Sequence, residues 1–105
     1  MNFGLKESTI QKINSVFERY SQVDEAVIFG SRVKGNYENG SDIDLTLKGK
    51  NLSLQLLFSI ENDLDDLLLP YKIDLSIYNK IENQDLIDHI CRVGISFYKR
   101  IQKND

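Results

Sequence analysis

The sequence has one cysteine, one proline and no tryptophan. Because Cys91 has no second thiol to pair with, an intramolecular disulfide and zinc sites built from cysteine pairs are excluded. Long apolar runs are missing too. No segment approaches the roughly 18 residues of a membrane span, and the first residues lack the apolar stretch of a signal peptide. We therefore expect a cytoplasmic protein without a membrane partner.

Basic residues are also fewer than acidic ones, 13 compared with 16, so the net charge is −3. A large nucleic-acid interface needs a basic face that neutralises phosphates, so we do not expect nucleic acid as a partner. A small anionic ligand held by a few local cations remains compatible with this balance. With 105 residues and 41% hydrophobic content, the chain predicts one domain, residues 1–105, with a single core.

Hydrophobic periodicity divides the chain into a helix, two strands, a helix, a strand, a helix and a last short strand. Ser8 and Gln11 have the form of a capping box at the start of the first helix. The predicted strands are residues 26–29, 43–47, 72–77 and 95–98, and the later helices are residues 53–69 and 83–94. This order predicts an α/β or α+β domain with one sheet.

Two aspartates open the second predicted strand. Asp42 and Asp44 are two residues apart, so in an extended chain their carboxylates point to one side, about 6–7 Å apart along the strand. Two such charges about 4 Å apart repel by roughly 4 kcal/mol near a protein surface, and a divalent cation turns that repulsion into attraction. A pair of Mg²⁺ ions is the usual device for nucleotidyl transfer, and Mg²⁺ accepts a few carboxylates completed by water and phosphate oxygens.

Three further features complete the candidate site. Asp74 lies on the polar face of the third strand, where it adds a third carboxylate if the two strands are neighbours. Gly30 and Ser31 break the chain after the first strand, and backbone amides with a hydroxyl suit phosphate groups. Arg32 and Lys34 are the nearest cations, and either can meet a departing pyrophosphate.

Each of these features alone has an ordinary structural explanation. Gly-Ser after a strand is common turn chemistry, and aspartate at a strand end often caps a turn. Their combination favours chemistry on a phosphate. Residues 42–46 also fit the DxDxT motif of haloacid-dehalogenase-type phosphatases, but there the first aspartate follows a hydrophobic strand and here it follows a polar loop. No Gly-Lys-Ser/Thr sequence is present, which excludes a Walker-type NTPase.

Gly30-Ser31, ten further residues and then Asp42 and Asp44 resemble the signature of the nucleotidyltransferases related to DNA polymerase β. The form GSRVKG…SDIDL on a short chain is similar to the minimal nucleotidyltransferases, or MNT proteins, and the similarity extends over nearly the whole chain. It implies the polymerase β-like fold, an α/β (α+β) architecture with a small mixed β-sheet and helices packed on one face. It also implies Gly30, Ser31, Asp42, Asp44 and Asp74 as the functional residues, with two Mg²⁺ ions and ATP.

The resemblance also implies a partner. MNT proteins are typically encoded beside a HEPN-domain ribonuclease toxin, and the family's antitoxins can transfer AMP from ATP to a tyrosine of that toxin. A second hypothesis is a binding module that masks a toxin and catalyses weakly or not at all. In that case some of the apolar residues at positions 52, 54, 56 and 58 face a partner instead of the core.

Several properties stay open from the sequence. Transfer to a small molecule is less favoured, because the chain has no additional domain to hold such an acceptor, and the acidic balance argues against tRNA. The sequence does not fix the base preference, the acceptor, the number of nucleotides added or whether the protein forms a homo-oligomer. His89 lies beside Asp85 and Asp88 on the last helix, where we expect a solvated face. Tyr37, in the loop between the motifs, either stacks on a base or packs the loop.

Overall fold

The computed structural model describes residues 2–101, which contain a four-stranded β-sheet with helices. In chain order the elements are α1 (Glu7–Glu18), β1 (Val23–Phe29), α2 (Ser31–Lys34), β2 (Ile43–Gly49), α3 (Leu54–Asp65), β3 (Ile73–Ile77), a 3₁₀ turn (Tyr78–Lys80), α4 (Gln84–Val93) and β4 (Ile95–Lys99). The predicted order of the main helices and strands is confirmed. The short helix α2 and the 3₁₀ turn were not predicted, because each is too short to show a period.

The sheet is mixed, as expected. Its strands lie in the order β3-β2-β1-β4, in which β1 is antiparallel to both β2 and β4 while β2 and β3 are parallel. Two consecutive parallel strands need a long crossover, and α3 supplies it. No helix among residues 2–101 has the length and apolar character that crossing a membrane requires.

The main core lies between one face of the sheet and the helices α1 and α3. Strand residues such as Ile28 and Leu45 are fully buried there, and they pack with Phe17 of α1 and Ile60 of α3, which are also fully buried. The alternation of apolar and polar residues in β2 produces this arrangement, because successive side chains of a strand point to opposite faces. Its apolar residues enter the core, and its one aspartate, Asp44, takes the other face.

Helix α4 lies on that other face. A Cβ atom placed on Gly94 would lie only 2.7 Å from Cγ1 of Val27, and the rings of Phe29 and His89 lie 6.2 Å apart. Val27 and Phe29 share their face with Asp44, since Phe29 pairs with Asp44 across β1 and β2. The expectation of helices on one face therefore holds for α1 and α3 and is corrected for α4.

The predicted capping box at the start of α1 is wrong. Ser8 lies inside the helix, which begins at Glu7 with Lys6 as its cap, and no side chain caps it. The helix begins earlier because buried Leu5 fixes the preceding chain and the carbonyl of Lys6 already accepts from Thr9 and Ile10. The predicted cap of α4 is confirmed, since the side chain of Asn83 accepts from the backbone of its first turn.

Arg100 ties the end of β4 to the end of α1, and this contact gives a testable prediction. Its guanidinium donates to the carbonyl oxygens of Tyr20 at 2.8 Å, Val23 at 3.0 Å and Phe17 at 3.1 Å. We expect Arg100→Ala to lower the free energy of unfolding by about 1.5–3 kcal/mol, the range for hydrogen bonds of charged groups. Urea denaturation measures it, with exposed Lys99→Ala as the control that should change little.

Candidate active site

The structure brings two of the three candidate carboxylates side by side. Asp44 and Asp74 are direct partners in the parallel ladder between β2 and β3, so their side chains share one face of the sheet. Asp42 lies two residues before Asp44, just ahead of β2. Asp42 and Asp74 are exposed and Asp44 is half-buried. The three residues therefore lie where β2 and β3 begin, at one end of the sheet, which is called the sheet edge below.

The electrostatics of this edge centre on Asp44. Burial raises the pKa of its carboxyl above the ordinary value of 3.8, and the negative charges of Asp74 and then Asp42 raise it further. An ionised Asp44 is thus held in a position that disfavours its charge. A bound cation would relieve all three causes, since it replaces lost hydration and neutralises the neighbouring carboxylates.

The residues present fit a magnesium ion by their chemistry. Carboxylate oxygens are hard donors of the kind that Mg²⁺ prefers. Among residues 2–101, no three His, Cys, Asp or Glu side chains already lie close enough together to hold a metal ion. Mg²⁺ does not require such a cage, because it is usually bound through one or two carboxylates and completes its shell with water and substrate phosphates.

The raised pKa of Asp44 predicts how the metal-free protein responds to pH. At pH 7 the folded state contains an ionised Asp44 that would favour its protonated form, so Asp44→Asn should raise the midpoint of thermal unfolding in EDTA. As the pH falls through the raised pKa, the wild type regains this stability. The difference should vanish near and below pH 3.8, the group's ordinary pKa. Exposed Asp65→Asn on α3 is the control, and an unchanged or lower midpoint for Asp44→Asn at pH 7 would contradict this.

Gly30 brings the turn after β1 into contact with Asp44. Its backbone has φ 82° and ψ −154°, a conformation that is essentially restricted to glycine. A Cβ atom at this position would lie 2.4 Å from Oδ2 of Asp44. The next residue, half-buried Ser31, begins α2, and the carbonyl of Gly30 accepts from Val33 and Lys34. The Gly-Ser turn and the aspartate pair therefore form one continuous site.

Replacing Gly30 should affect both stability and the carboxylate. We expect Gly30→Ala to cost about 1–3 kcal/mol of folding stability through its backbone conformation alone. The added methyl group also has to displace the Asp44 carboxylate, so Mg²⁺-dependent nucleotide binding should weaken beyond what the stability loss explains. Chemical denaturation and calorimetry measure the two effects. Gly35→Ala is the matched control: it too has a positive φ, of 85°, but a Cβ there meets nothing within 4 Å.

Arg32 does not lie where the sequence placed it. Only 3% of the residue is exposed, and its guanidinium donates to the carbonyls of Ser41 and Phe3. The expected contact with a phosphate is corrected, because the side chain is buried and three of its five N–H groups donate to the protein's own backbone. Lys34, the other candidate cation, is exposed.

Two aromatic residues that the sequence did not single out, Tyr71 and Phe29, lie around the site. The guanidinium of Arg32 is 4.9 Å from the ring centre of Tyr71 and 5.2 Å from that of Tyr37, so Tyr37 packs the loop. Half-buried His89 contacts Phe29 and not only solvent, which corrects the expected solvated position. The one feature of the sequence that could have placed an aromatic residue at the site is that Phe29 ends the strand directly before Gly30.

Comparisons with known proteins identify the family and the fold. Residues 11–103 match the family described as polymerase beta, nucleotidyltransferase. No curated protein matches the chain at a significant level. A solved toxin–antitoxin structure with AMP-PNP superimposes with a TM-score of 0.69 at 20% identity, covering 91% of this chain and 75% of the other.

Two further solved structures share the fold. One is a tri-AMPylated Shewanella oneidensis HEPN toxin in complex with MNT antitoxin, with a TM-score of 0.67 at 15% identity, covering 91% of this chain and 74% of the other. The other is a putative nucleotidyltransferase from Sulfolobus solfataricus, with a TM-score of 0.54 at 20% identity, covering 92% of each chain. With the family match over most of its length, the chain belongs to the polymerase beta nucleotidyltransferase family.

Proposed function

We propose that the protein is a Mg²⁺-dependent nucleotidyltransferase that moves AMP from ATP to a hydroxyl group of a HEPN toxin, and that it thereby acts as an antitoxin in the cytoplasm. The observation that supports this most strongly is the pairing of Asp44 with Asp74 across β2 and β3, with Gly30 directly against the Asp44 carboxylate. In this proposal the metal ligands, the position of the acceptor and the phosphate turn share one edge of the sheet.

Each side chain has a distinct part in this proposal. Asp42 and Asp44 would hold Mg²⁺, which when bound supplies positive charge against the triphosphate. Gly30 and Ser31 would seat the triphosphate through backbone amides and the hydroxyl group. Exposed Lys34 would meet the pyrophosphate as it leaves. Arg32 has no direct part, since its side chain is buried.

The reaction is a displacement at the α-phosphorus of ATP. The acceptor oxygen forms a bond to that phosphorus, while the bond from the phosphorus to the oxygen that bridges to the β-phosphate breaks. Pyrophosphate leaves with the bonding electrons. Asp74 is exposed beside Asp44, so its carboxylate can act as a general base that takes the proton of the acceptor hydroxyl. The same carboxylate would be a ligand of a second Mg²⁺ ion, if one binds.

The choice of acceptor is supported by the solved structures of the same fold. One of them contains an AMPylated HEPN toxin with its MNT antitoxin, and another is a toxin–antitoxin structure with AMP-PNP. We therefore propose a tyrosine of a HEPN ribonuclease as the acceptor and ATP as the donor. Nothing in the described site distinguishes adenine from other bases, so ATP enters the proposal through this similarity.

Mass spectrometry of the toxin tests the proposal. The HEPN toxin that this proposal predicts as the partner is incubated with the purified protein, ATP and Mg²⁺, and then weighed intact. A gain of one or more AMP units that requires both ATP and Mg²⁺ supports the proposal. An unchanged toxin mass under conditions in which the protein binds ATP would contradict transfer to this partner.

Masking of the toxin without chemistry is a second candidate function, and one observation favours it. Leu54 and Phe58, one turn apart on α3, are 56% and 60% exposed. Large apolar residues of an amphipathic helix usually face the core, and these two do not. Inhibition of the toxin by a variant with both Asp42→Asn and Asp44→Asn, without a change in toxin mass, would support masking. Loss of inhibition in the same variant supports transfer.

A further inference from the structure

The most unusual polar group of the structure outside the carboxylates is Arg32. Its Nε and Nη2 atoms donate to the carbonyl of Ser41 at 3.1 and 2.8 Å, and its Nη1 atom donates to the carbonyl of Phe3 at 3.0 Å. Tyr37 and Tyr71 lie over the guanidinium at cation–π distances. A residue only 3% exposed thus joins its own helix to three other segments of the chain: Phe3, the loop with Tyr37 and Ser41, and Tyr71.

This charge is buried without a carboxylate beside it. Among residues 2–101, the only ion pair within 4.0 Å joins Arg19, at the end of α1, to Asp63 of α3. Burying a charge is costly unless it is compensated, and here carbonyl oxygens and aromatic rings provide the compensation. Packing alone would be served equally well by an apolar side chain of similar size. What a guanidinium adds is a planar fork that reaches two backbone carbonyls at once.

The segments that Arg32 joins are those that carry the candidate site. Arg32 itself follows Ser31 of the phosphate turn. Ser41 directly precedes Asp42, and Tyr71 lies three residues before Asp74. The side chain of Arg32 therefore connects the Gly30-Ser31 turn to the segments that lie directly before β2 and β3.

We propose that Arg32 is a positioning residue. Through its contacts with Ser41 and Tyr71, it sets the distance between the Gly30-Ser31 turn and the carboxylates of Asp42 and Asp74. This inference rests on the proposed function. It assigns Arg32 to the geometry of the site and not to contact with the nucleotide. Lysine cannot replace it, because an ammonium group is a point charge without the planar fork.

Calorimetry with Mg²⁺ and a non-hydrolysable ATP analogue tests the consequence. Arg32→Lys should weaken binding of the analogue and raise the half-saturating Mg²⁺ concentration by about 10- to 100-fold, the usual effect of removing a residue that orients metal ligands. Both proteins are compared at a temperature at which circular dichroism shows them folded. The control is Arg19→Lys, the same substitution at a side chain 58% exposed after α1, which should bind as the wild type does.

Hydrogen exchange in the free protein tests whether Arg32 holds the loop at Ser41. The loop before β2 is closed by Ser41, whose backbone donates to the carbonyl of Glu38 at 3.0 Å while its hydroxyl accepts from the amide of Glu38 at 2.8 Å. In Arg32→Lys these two amides should exchange faster, while the amides of α3 keep their rates. Unchanged exchange rates of these two amides would contradict a role of Arg32 in holding the loop.

A second variant separates positioning from direct contact with phosphate. Tyr71→Leu should also raise the half-saturating Mg²⁺ concentration, and combining it with Arg32→Lys should give less than the product of the two single effects, because both loosen the same set of contacts. An unaffected Tyr71→Leu protein would overturn positioning. If the wild type fails to bind the analogue, the proposed function is contradicted. If the wild type binds and Arg32→Lys binds equally well, only the role of Arg32 is contradicted.

Discussion

Replacing Asp42 and Asp44 together with asparagine is expected to lower the rate of AMP transfer at least about 1,000-fold. A metal ion that stabilises developing charge is worth several kcal/mol, and each 1.4 kcal/mol is about a factor of ten in rate. Asparagine keeps the size of each side chain and removes the charge that the cation needs. Transfer from ATP labelled at the α-phosphate to the toxin measures the effect.

The matched control is a double substitution of Asp65 and Asp66 by asparagine. These exposed residues lie at the end of α3, outside the sheet edge, so transfer should stay near the wild-type rate although the change in net charge is the same. We also expect the variant at positions 42 and 44 to be at least as stable as the wild type in EDTA, because it no longer contains the destabilised charge of Asp44. Substantial transfer by this variant would exclude the two residues as metal ligands.

Replacing Asp74 with asparagine is expected to lower kcat by about 100- to 10,000-fold, the range of a positioned general base. The affinity for ATP with Mg²⁺ should stay within about threefold of the wild type, since a group that acts in the transition state contributes little to binding the ground state. This split distinguishes Asp74 from the other two aspartates, whose loss should weaken both. Its exposed position on β3, beside Asp44, leaves it accessible to an acceptor from solution.

Single-turnover transfer and calorimetry with the non-hydrolysable analogue measure the two quantities for Asp74→Asn. Exposed Asp85→Asn on α4 serves as the control and should change neither. Equal losses of transfer and of nucleotide affinity would move Asp74 into the group that holds the nucleotide. Retained turnover would remove it from the mechanism.

The alternation of residues in β2 and β3 made the faces of these strands predictable. Because apolar residues occupy every second position, the sequence alone assigns Asp44 and Asp74 to the polar faces of their strands. Alternation does not determine which strands are neighbours or in which register they pair, and the pairing of Asp44 with Asp74 depends on both. That pairing follows from the crossover through α3, a long-range feature of the fold.

Arg32 shows why the rest of the site was not predictable. Its position in the sequence, beside the Gly-Ser turn, is that of a phosphate ligand. It is buried because Phe3, Tyr37 and Tyr71 converge on it from parts of the chain that are far apart. Helix α4 presents a similar limit, because an amphipathic pattern reveals an apolar stripe and not the face of the sheet against which the stripe packs.

A crystal structure of the protein with Mg²⁺ and a non-hydrolysable ATP analogue tests the central claim most directly. We expect Mg²⁺ at about 2.1 Å from carboxylate oxygens of Asp42 and Asp44, with the triphosphate on the Gly30-Ser31 turn and the α-phosphorus facing Asp74. A nucleotide bound elsewhere, or bound at this edge without a metal ion on these aspartates, would contradict the claim.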